Sequence, residues 1–473
     1  MFAYKGELAM PKKKTALTIE ERLQQALVPA EEQPYEVPEN WVWVRLGAFA
    51  EAISKGTTPK GGSAAYVDEG VNFLRVENLT SDGYISHSKI THITEEMHEN
   101  YLKRSILKAN DLLISIAGSL GKSAIVRECD LPINTNQAIA FVRLFADKID
   151  VNYIRNTIES PLINSVLTKQ TKVTSIPNLT LEIIKDCPIP LPPLSEQQRI
   201  VERIEELFAK LDEAKERLQE VADSFAVRKA AILHKAFTGE LTKQWRRENG
   251  VSDESWEEKK GEDFFEYVTS GSRGWAKYYS DKGSIFVRMG NLNHGTIELD
   301  FSDIQYVELP DQVEGQRSKL QKNDILISIT ADVGMIGLVR EDMDAYINQH
   351  VALARPKDNL YAEFLAWYFV SDVGLKQMQN KQRGATKIGL GLKDIRSIIL
   401  KIPSLPEQHE IVRLIDDLLA RERAAQQAAE QALASIDLMK KSILARAFRG
   451  ELGTNKASEA SALELLKQVL AEN

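Results

Sequence analysis

Two loops of this 473-residue chain combine basic, polar and aromatic side chains in a way that suits contact with a nucleic acid. KGTTPKGG at 55–62 places lysines and threonines beside glycines, which let a backbone approach a phosphate group. SGSRGWAKYYS at 270–280 interleaves cations with aromatic rings. Cations bind phosphate oxygens, whereas amide, guanidinium and flat apolar side chains contact base edges. Both loops are therefore candidate contacts with a nucleic acid.

The residues predicted to contact the nucleic acid lie in these loops and in related segments of the chain. They are Lys55, Thr58, Lys60, Arg75, Asn78, Lys169, Lys172, Arg273, Trp275, Lys277, Tyr278, Arg288, Asn291, Lys381, Arg383 and Lys387. A plainer interpretation stays open, in which Trp275 belongs to a core and the cations are solvated surface. Arg75 and Asn78 recur as Arg288 and Asn291, which could equally reflect a shared structural role.

The motifs of methyltransferases, ATPases and metal enzymes are missing. GSLGKS at 118–123 lacks the first glycine of a phosphate-binding P-loop, because Ile116 stands at that position. PLPPLS at 190–195 lacks the Asn or Asp and the aromatic residue of an adenine methyltransferase motif. The seven histidines and the two cysteines, Cys129 and Cys187, show no metal-ligand spacing. We therefore expect no catalytic residue, metal site or cofactor in this chain.

Composition and charge are those of a globular protein with more than one domain. Hydrophobic residues make up 43% and charged residues 27% of the chain. The net charge of −8 argues against indiscriminate nucleic-acid binding but permits local basic patches. No apolar run is long enough to span a membrane, and no apolar stretch of a signal peptide follows the lysines at 12–14. We expect a cytoplasmic protein, which two free cysteines also fit.

An internal repeat organises the chain. AFTGEL at 236–241 returns as AFRGEL at 447–452, displaced by 211 residues. NDLLISI at 110–116 returns as NDILISI at 323–329, displaced by 213 residues. Further matches follow in the same order, so the chain contains two copies of one unit of about 210 residues.

Each copy begins with short apolar runs punctuated by glycine and proline. Runs such as 112–116, 138–144 and 325–329 predict short buried strands, and helices such as 151–168 interleave with them. This mixture predicts a compact α+β domain in each copy.

Each copy ends in an apolar stripe with alternating spacings of four and three residues, which predicts one long helix with a coiled-coil seam. In the first copy, which Arg228 interrupts, the stripe is Ile200, Ile204, Leu207, Leu211, Ala214, Leu218, Val221, Phe225 and Ile232. In the second copy it is Ile411, Ile415, Leu418, Glu422, Ala425, Ala429, Ala432, Ile436, Met439 and Ile443.

The two long helices need partners, because a single helix would expose its apolar stripe to water. We expect them to pair with each other as an antiparallel intramolecular coiled coil, with the two domains at opposite ends and pseudo-two-fold symmetry. A parallel pair and an intermolecular coil remain open alternatives.

These segments resemble the specificity subunit of type I restriction–modification enzymes over essentially the full chain. PENWVWVRLG at 38–47, FLRVENL at 73–79, TNQAIAFVR at 135–143, IPLPPLSEQQRI at 189–200 and INQHVALARP at 347–356 carry the resemblance together with the loops above. Each segment is weakly diagnostic alone, but their order and duplication make the resemblance specific.

The resemblance implies a non-catalytic subunit whose two target-recognition domains each read one half of a bipartite DNA site. The paired helices would act as a spacer and dock two modification subunits, which bind S-adenosylmethionine and methylate adenine. Restriction subunits, which use ATP and Mg²⁺, would add cleavage. The class alternatives are a coiled-coil adaptor without DNA specificity and a fused restriction enzyme, for whose catalytic domains the chain is too short.

The predicted boundaries follow the repeat. They are an N-terminal extension at 1–40, target-recognition domain 1 at 41–190, a central long helix at 191–246, a linker at 247–266, target-recognition domain 2 at 267–400, a C-terminal long helix at 401–452 and a tail at 453–473. The polar stretch at 245–263 is expected to be exposed and mobile.

Overall fold

The structure is a computed structural model that describes residues 18–80, 82–145, 148–169, 178–310, 315–382 and 389–472. The chain divides into two compact units. Unit 1 comprises Met1–Glu216 and Leu433–Asn473, and unit 2 comprises Arg217–Ala432. Each unit contains one α+β domain and parts of both long helices, so the predicted fold class and internal duplication are confirmed.

The domain of unit 1, called domain 1, is built from short strands and helices. Its strands are β1 (Val42–Arg45), β2 (Ala50–Lys55), β3 (Val71–Leu74), β4 (Thr91–Ile93), β5 (Leu112–Ser115), β6 (Ser123–Ile125), β7 (Ile133–Thr135), β8 (Ile139–Leu144) and β9 (Pro188–Leu191). Its helices are α1 (Ile19–Ala26), α2 (Val151–Glu159), α3 (Pro161–Lys169) and α4 (Leu181–Lys185).

Domain 1 contains a four-stranded antiparallel sheet in the order β2-β8-β5-β6. A second sheet has the order β4-β3-β7, in which β3 and β7 run parallel, and β1 pairs with β9. Leu112 and Ile114 of β5 enter one apolar core, whereas Leu113 enters another. Successive side chains point to opposite faces of a sheet, so an uninterrupted apolar run fits a strand covered on both sides.

The long helices and the domain of unit 2, called domain 2, follow. The helices are α5 (Leu194–Asp223), α6 (Phe225–Phe237), α7 (Lys243–Glu248), α8 (Gly261–Phe264), α9 (Ala362–Val370), α10 (Asp372–Asn380), α11 (Leu392–Arg396) and α12 (Leu405–Ala447). Helix α13 (Ala462–Glu472) follows and belongs to unit 1. The strands are β10 (Glu257–Lys260), β11 (Phe265–Ser270), β12 (Tyr279–Ser280), β13 (Ser284–Val287), β14 (Tyr306–Val307), β15 (Ile325–Ser328), β16 (Ile336–Leu338), β17 (Ala345–Ile347), β18 (Val351–Pro356) and β19 (Ile399–Ile402).

Domain 2 repeats the topology of domain 1, with the additional strand β12 at the edge of its second sheet. Its main sheet has the order β11-β18-β15-β16, its second sheet β12-β14-β13-β17, and β10 pairs with β19. Ile325 and Ile327 of β15 face one core while Leu326 faces another, as in β5. The strands predicted from the duplicated NDLLISI and NDILISI segments are confirmed.

The first long helix is present as α5 and α6, separated by a turn at Ser224 rather than forming one uninterrupted helix. Helical hydrogen bonds nevertheless continue across the turn, because the Ser224 N–H donates to Glu220 O at 3.0 Å and the Arg228 N–H donates to Ser224 O at 3.0 Å. The second long helix, α12, is unbroken over 43 residues.

Contacts between the long helices run antiparallel within each unit. In unit 1, Lys440 Nζ donates to Asp212 Oδ1 at 2.6 Å, and Arg199 Nε donates to Thr454 O at 3.1 Å. A later residue of α5 therefore meets an earlier part of the C-terminal segment.

Unit 2 shows the same direction independently. Arg228 forms an ion pair with Glu422, and Thr242 Oγ1 donates to Glu407 Oε1 at 2.7 Å. The predicted direction of pairing holds in both units. Arg228, which interrupts the first apolar stripe, therefore pairs with Glu422, the only acidic residue of the second stripe.

The predicted seam of α12 is wrong in part. Ala429 and Ile436 are buried as expected, but Ala425 and Met439 are exposed, and Leu419 and Leu444 are buried outside the predicted stripe. An α-helix has about 3.6 residues per turn, so a strict heptad stripe drifts by about 20° per heptad on a straight helix. The buried face moves to neighbouring positions as a result.

The predicted mobile linker is folded. Helix α7 and strand β10 lie within or beside it. Arg246 is buried, and its backbone makes two hydrogen bonds. Its N–H donates to Thr242 O at 2.8 Å, and its carbonyl accepts from the Val251 N–H at 2.9 Å. The predicted tail also contains α13, whose Leu466 and Val469 are buried in the core of unit 1. Polar composition concealed these contacts, because a few buried residues anchor each segment.

Among the described residues, none of the helices is long and apolar enough to cross a membrane.

Candidate DNA interface

Backbone hydrogen bonds gather the loops that follow four strands of domain 1 around the turn at Asn136. The Asn136 N–H donates to Leu74 O at 3.2 Å, the Thr57 N–H to Thr135 O at 3.1 Å and the Ile116 N–H to Ala138 O at 2.8 Å. The Leu179 N–H donates to Ile116 O at 3.0 Å. We call this cluster loop edge 1; it comprises residues 55–60, 75, 116–118, 136–138 and 178–179.

Domain 2 builds the same cluster at the repeat-related positions. The Asn348 N–H donates to Val287 O at 3.0 Å, and the Ile329 N–H donates to His350 O at 3.0 Å. The Leu390 N–H donates to Ile329 O at 2.9 Å, and Ser272 bridges to Asn348. We call this cluster loop edge 2; it comprises residues 270–273, 288, 329–331, 348–350 and 389–390.

A glycine at the same place in each loop edge allows this close approach. A Cβ on Gly56 would lie 2.1 Å from Asn136 O, and a Cβ on Gly271 would lie 2.0 Å from Ile347 O. No side chain fits at these separations, so both glycines are needed for close backbone contact rather than for a special φ angle.

Several predicted cations are exposed on or beside the loop edges. Lys55 lines a cleft with Gln137 and Ala117, and Arg273 is exposed in loop edge 2. Within the described part of the chain, neither cation has a carboxylate partner, which leaves both available for phosphate oxygens.

The remaining predicted polar residues are more scattered. Thr58 is half-buried and Lys60 is exposed, with its Nζ 5.4 Å from the centre of the Tyr101 ring. Lys169 is exposed at the end of α3, and Lys381 is half-buried after α10. Lys172, Arg383 and Lys387 lie outside the described residues.

The prediction that Asn78 and Asn291 contact DNA is wrong. Asn78 is 1% exposed; its Oδ1 accepts from the Arg75 N–H at 2.9 Å and its Nδ2 donates to Ser86 O at 3.2 Å. Asn291 is 3% exposed; its Oδ1 accepts from the Arg288 N–H at 2.8 Å. The shared structural role is the correct alternative, because these buried amides close equivalent turns after β3 and β13.

The two arginines of these turns remain partly exposed but carry carboxylate partners. Arg75 pairs with Glu77, and Arg288 pairs with Asp303 at 2.9 Å. Any phosphate contact would compete with these ion pairs.

Trp275 belongs to the core, so its assignment as a DNA contact is also wrong. The side chain is 5% exposed, and its ring lies 5.6 Å from the Phe286 ring and 5.5 Å from the Tyr346 ring. Trp275 anchors the loop, leaving Lys277 exposed with its Nζ 4.9 Å from the ring of the half-buried Tyr278.

Comparison with known sequences relates this duplicated architecture to one family. The profile described as "Type I restriction modification DNA specificity domain" matches residues 38–223 and 253–432, one match for each copy. The chain belongs to this family. A protein of the type I restriction specificity family is a DNA-recognition subunit, so the adaptor alternative is not favoured.

Curated relatives agree along nearly the whole chain. The EcoBI specificity subunit of Escherichia coli is 26% identical over 457 residues, covering 92% of this chain and 93% of that protein. The EcoKI specificity subunit of Escherichia coli strain K12 is 25% identical over 468 residues, covering 92% of this chain and 96% of that protein.

Solved structures show the same fold. The HsdS subunit from Thermoanaerobacter tengcongensis has a TM-score of 0.63 at 19% identity, covering 89% of this chain and 100% of that chain. A chain from a type I R-M system has a TM-score of 0.62 at 20% identity, with the same coverage of 89% and 100%.

Sequence reasoning missed the polar side chains of the repeated Asn-Gln turn in this specificity subunit. Gln137 is exposed in loop edge 1, and Gln349 and His350 occupy loop edge 2. The signal was available, because TNQAIAFVR and INQHVALARP place an amide pair before the same strand in both copies.

Sequence reasoning also missed how the long helices of the specificity subunit attach to their domains. Gln197 Oε1 accepts from the Asp150 N–H at 3.1 Å, and its repeat partner Gln408 Oε1 accepts from the Tyr361 N–H at 2.9 Å. The nitrogen of each amide is also hydrogen-bonded. Nε2 of Gln197 donates to Pro192 O at 3.1 Å, and Nε2 of Gln408 donates to Pro403 O at 2.9 Å.

The residue before each glutamine is a buried glutamate with a different set of donors. Glu196 Oε2 accepts from Trp41 Nε1 at 2.9 Å and from Asn455 Nδ2 at 3.0 Å, and burial raises the pKa of its carboxyl. Glu407 Oε1 instead accepts from Arg246 at 2.7 Å. These contacts fix the start of each long helix on its own domain. Among the described residues, no group of three or more His, Cys, Asp and Glu side chains is placed to hold a metal ion.

Proposed function

We propose that this subunit recognises a bipartite, asymmetric site in double-stranded DNA through loop edges 1 and 2. The observation that carries the proposal is that both edges share one backbone frame but present different side chains. Lys55 corresponds to Ser270, Ala117 to Thr330 and Ala138 to His350. Two loop edges with the same backbone structure but different side chains are suited to recognising two different half-sites.

The chain directs chemistry that other subunits perform. We propose two modification subunits that bind S-adenosylmethionine and methylate adenine, and restriction subunits that bind ATP and Mg²⁺ and cleave DNA. The names of the curated relatives, which are type I restriction enzyme specificity subunits, support this assignment. The cytoplasm is the compartment in which such an assembly would meet DNA.

The test is selection of bound duplexes from a randomised library by the full chain co-purified with its modification subunits. We expect two short specific segments separated by an unspecified spacer, and binding that weakens with salt. Exchanging residues 41–190 for those of a relative should change one segment only. Selection of no sequence, or a change in both segments, would overturn the proposal. Methyl transfer by the purified chain alone would contradict its non-catalytic role.

A further inference from the structure

Three polar side chains in loop edge 2 form one hydrogen-bonded chain. Thr330 Oγ1 lies 2.7 Å from His350 Nδ1, and Gln349 Nε2 lies 3.0 Å from His350 Nε2. His350 is exposed, while Thr330 and Gln349 are half-buried. A preorganised polar chain therefore faces solvent at the edge assigned to DNA.

The fold does not require the side chains of Thr330 and His350. Domain 1 has Ala117 and Ala138 at these positions and keeps the same backbone bond, from the Ile116 N–H to Ala138 O.

The turn itself is also preserved. The Ala138 N–H donates to Asn136 Oδ1 at 3.1 Å, and the His350 N–H donates to Asn348 Oδ1 at 3.0 Å. The hydroxyl and the imidazole therefore add something other than support for the local backbone.

The hydrogen bonds among these three side chains determine the orientation of the Gln349 amide. Because the amide nitrogen can only donate, His350 Nε2 accepts, and the neutral imidazole carries its proton on Nδ1 and donates to Thr330 Oγ1. This leaves Gln349 Oε1 and the second amide N–H for another partner. Within the described residues, Gln349 Oε1 accepts no hydrogen bond.

We propose that Gln349 contacts an adenine edge in the half-site of domain 2 and that His350 and Thr330 are positioning residues for its amide. An amide that offers one acceptor and one donor matches N6 and N7 of adenine in the major groove. Gln137 occupies the equivalent place in domain 1 but lacks the supporting imidazole and hydroxyl, because alanines replace them. This inference rests on the proposed function and assigns the side chain that reads a base in one of its two sites.

The test compares Gln349→Ala, the double variant Thr330→Ala/His350→Ala, and Thr330→Ser in the full chain with its modification subunits. Gln349→Ala should weaken binding to the wild-type site roughly 5- to 150-fold and relax preference at one adenine position of one half-site. The double variant should relax the same position by a smaller factor, and Thr330→Ser should retain wild-type preference because it keeps the hydroxyl. His294→Ala is the matched control, since His294 is an exposed histidine of domain 2 whose partner is Asp332.

The outcomes separate the inference from the proposed function. If the wild-type complex selects no DNA sequence, the proposed function fails. If it selects a bipartite site but Gln349→Ala keeps both consensus and affinity, the inference alone is overturned. Loss of preference at several positions, or in both half-sites, would also overturn it. The double variant keeps the test informative if Gln349→Ala unfolds, because it introduces the residues that domain 1 already uses at those positions.

Discussion

Replacing Arg246 by alanine would leave the carboxylate of Glu407 buried without its charged partner. The Glu407 side chain is 0% exposed, and the Arg246 side chain, which is 6% exposed, donates to it at 2.7 Å. Thr242 remains as a neutral donor at 2.7 Å. Breaking a buried ion pair from one side costs about 3–5 kcal/mol, because the remaining charge stays desolvated.

The expected destabilisation is large enough to measure in unit 2. Each kcal/mol lowers the melting temperature of a domain of this size by roughly 2–4 °C, so Arg246→Ala should lower it by roughly 6–20 °C. Arg413→Ala is the matched control: Arg413 contacts Glu410 at 2.7 Å on the same helix, but its side chain is exposed. Its loss should leave the melting temperature close to that of the wild type, because exposed ion pairs contribute little to stability.

A double variant isolates the buried charge as the cause. Arg246→Ala/Glu407→Gln has no buried carboxylate that lacks a charged partner, and it should unfold at a higher urea concentration than Arg246→Ala alone. Urea unfolding followed by circular dichroism provides the measurement. If Arg246→Ala behaves like Arg413→Ala, or if the double variant is less stable than Arg246→Ala, the charge-burial argument is refuted.

Three further predictions concern DNA contact, pH and spacing. Arg273→Ala should weaken binding to all sequences and flatten the salt dependence if Arg273 binds a phosphate, and binding curves at several salt concentrations check this; an unchanged slope places it away from the backbone. Because burial raises the pKa of Glu196 above 4.5, the folded state binds its proton more tightly, and stability is lost as the pH rises from the unfolded pKa through the folded one. Glu196→Gln should therefore gain stability relative to the wild type between pH 4.5 and 7 in urea titrations, and a parallel pH dependence would contradict this. Inserting one heptad at matched positions of α5 and α12 adds about 10 Å of helix. If this full length separates the domains, the preferred DNA spacer should lengthen by about three base pairs. An unchanged spacer in a folded variant would show that the helices do not set the spacer length.

The sequence by itself determined the duplicated plan of this protein. Repeated apolar runs predicted β5 and β15, and periodic apolar residues predicted the long helices, because burial of such patterns depends mainly on local spacing. The order of the repeated segments was sufficient to indicate the family that the profile match then showed.

Only the tertiary structure decided which polar and aromatic residues face outward. Asn78 was predicted to contact a base, but its side-chain amide is hydrogen-bonded to the backbone of Arg75 and Ser86. Trp275 looked like a stacking residue, but Phe286 and the sequence-distant Tyr346 enclose it. A residue type states which contacts a side chain can make, whereas the partner that it meets depends on distant segments that only folding brings together.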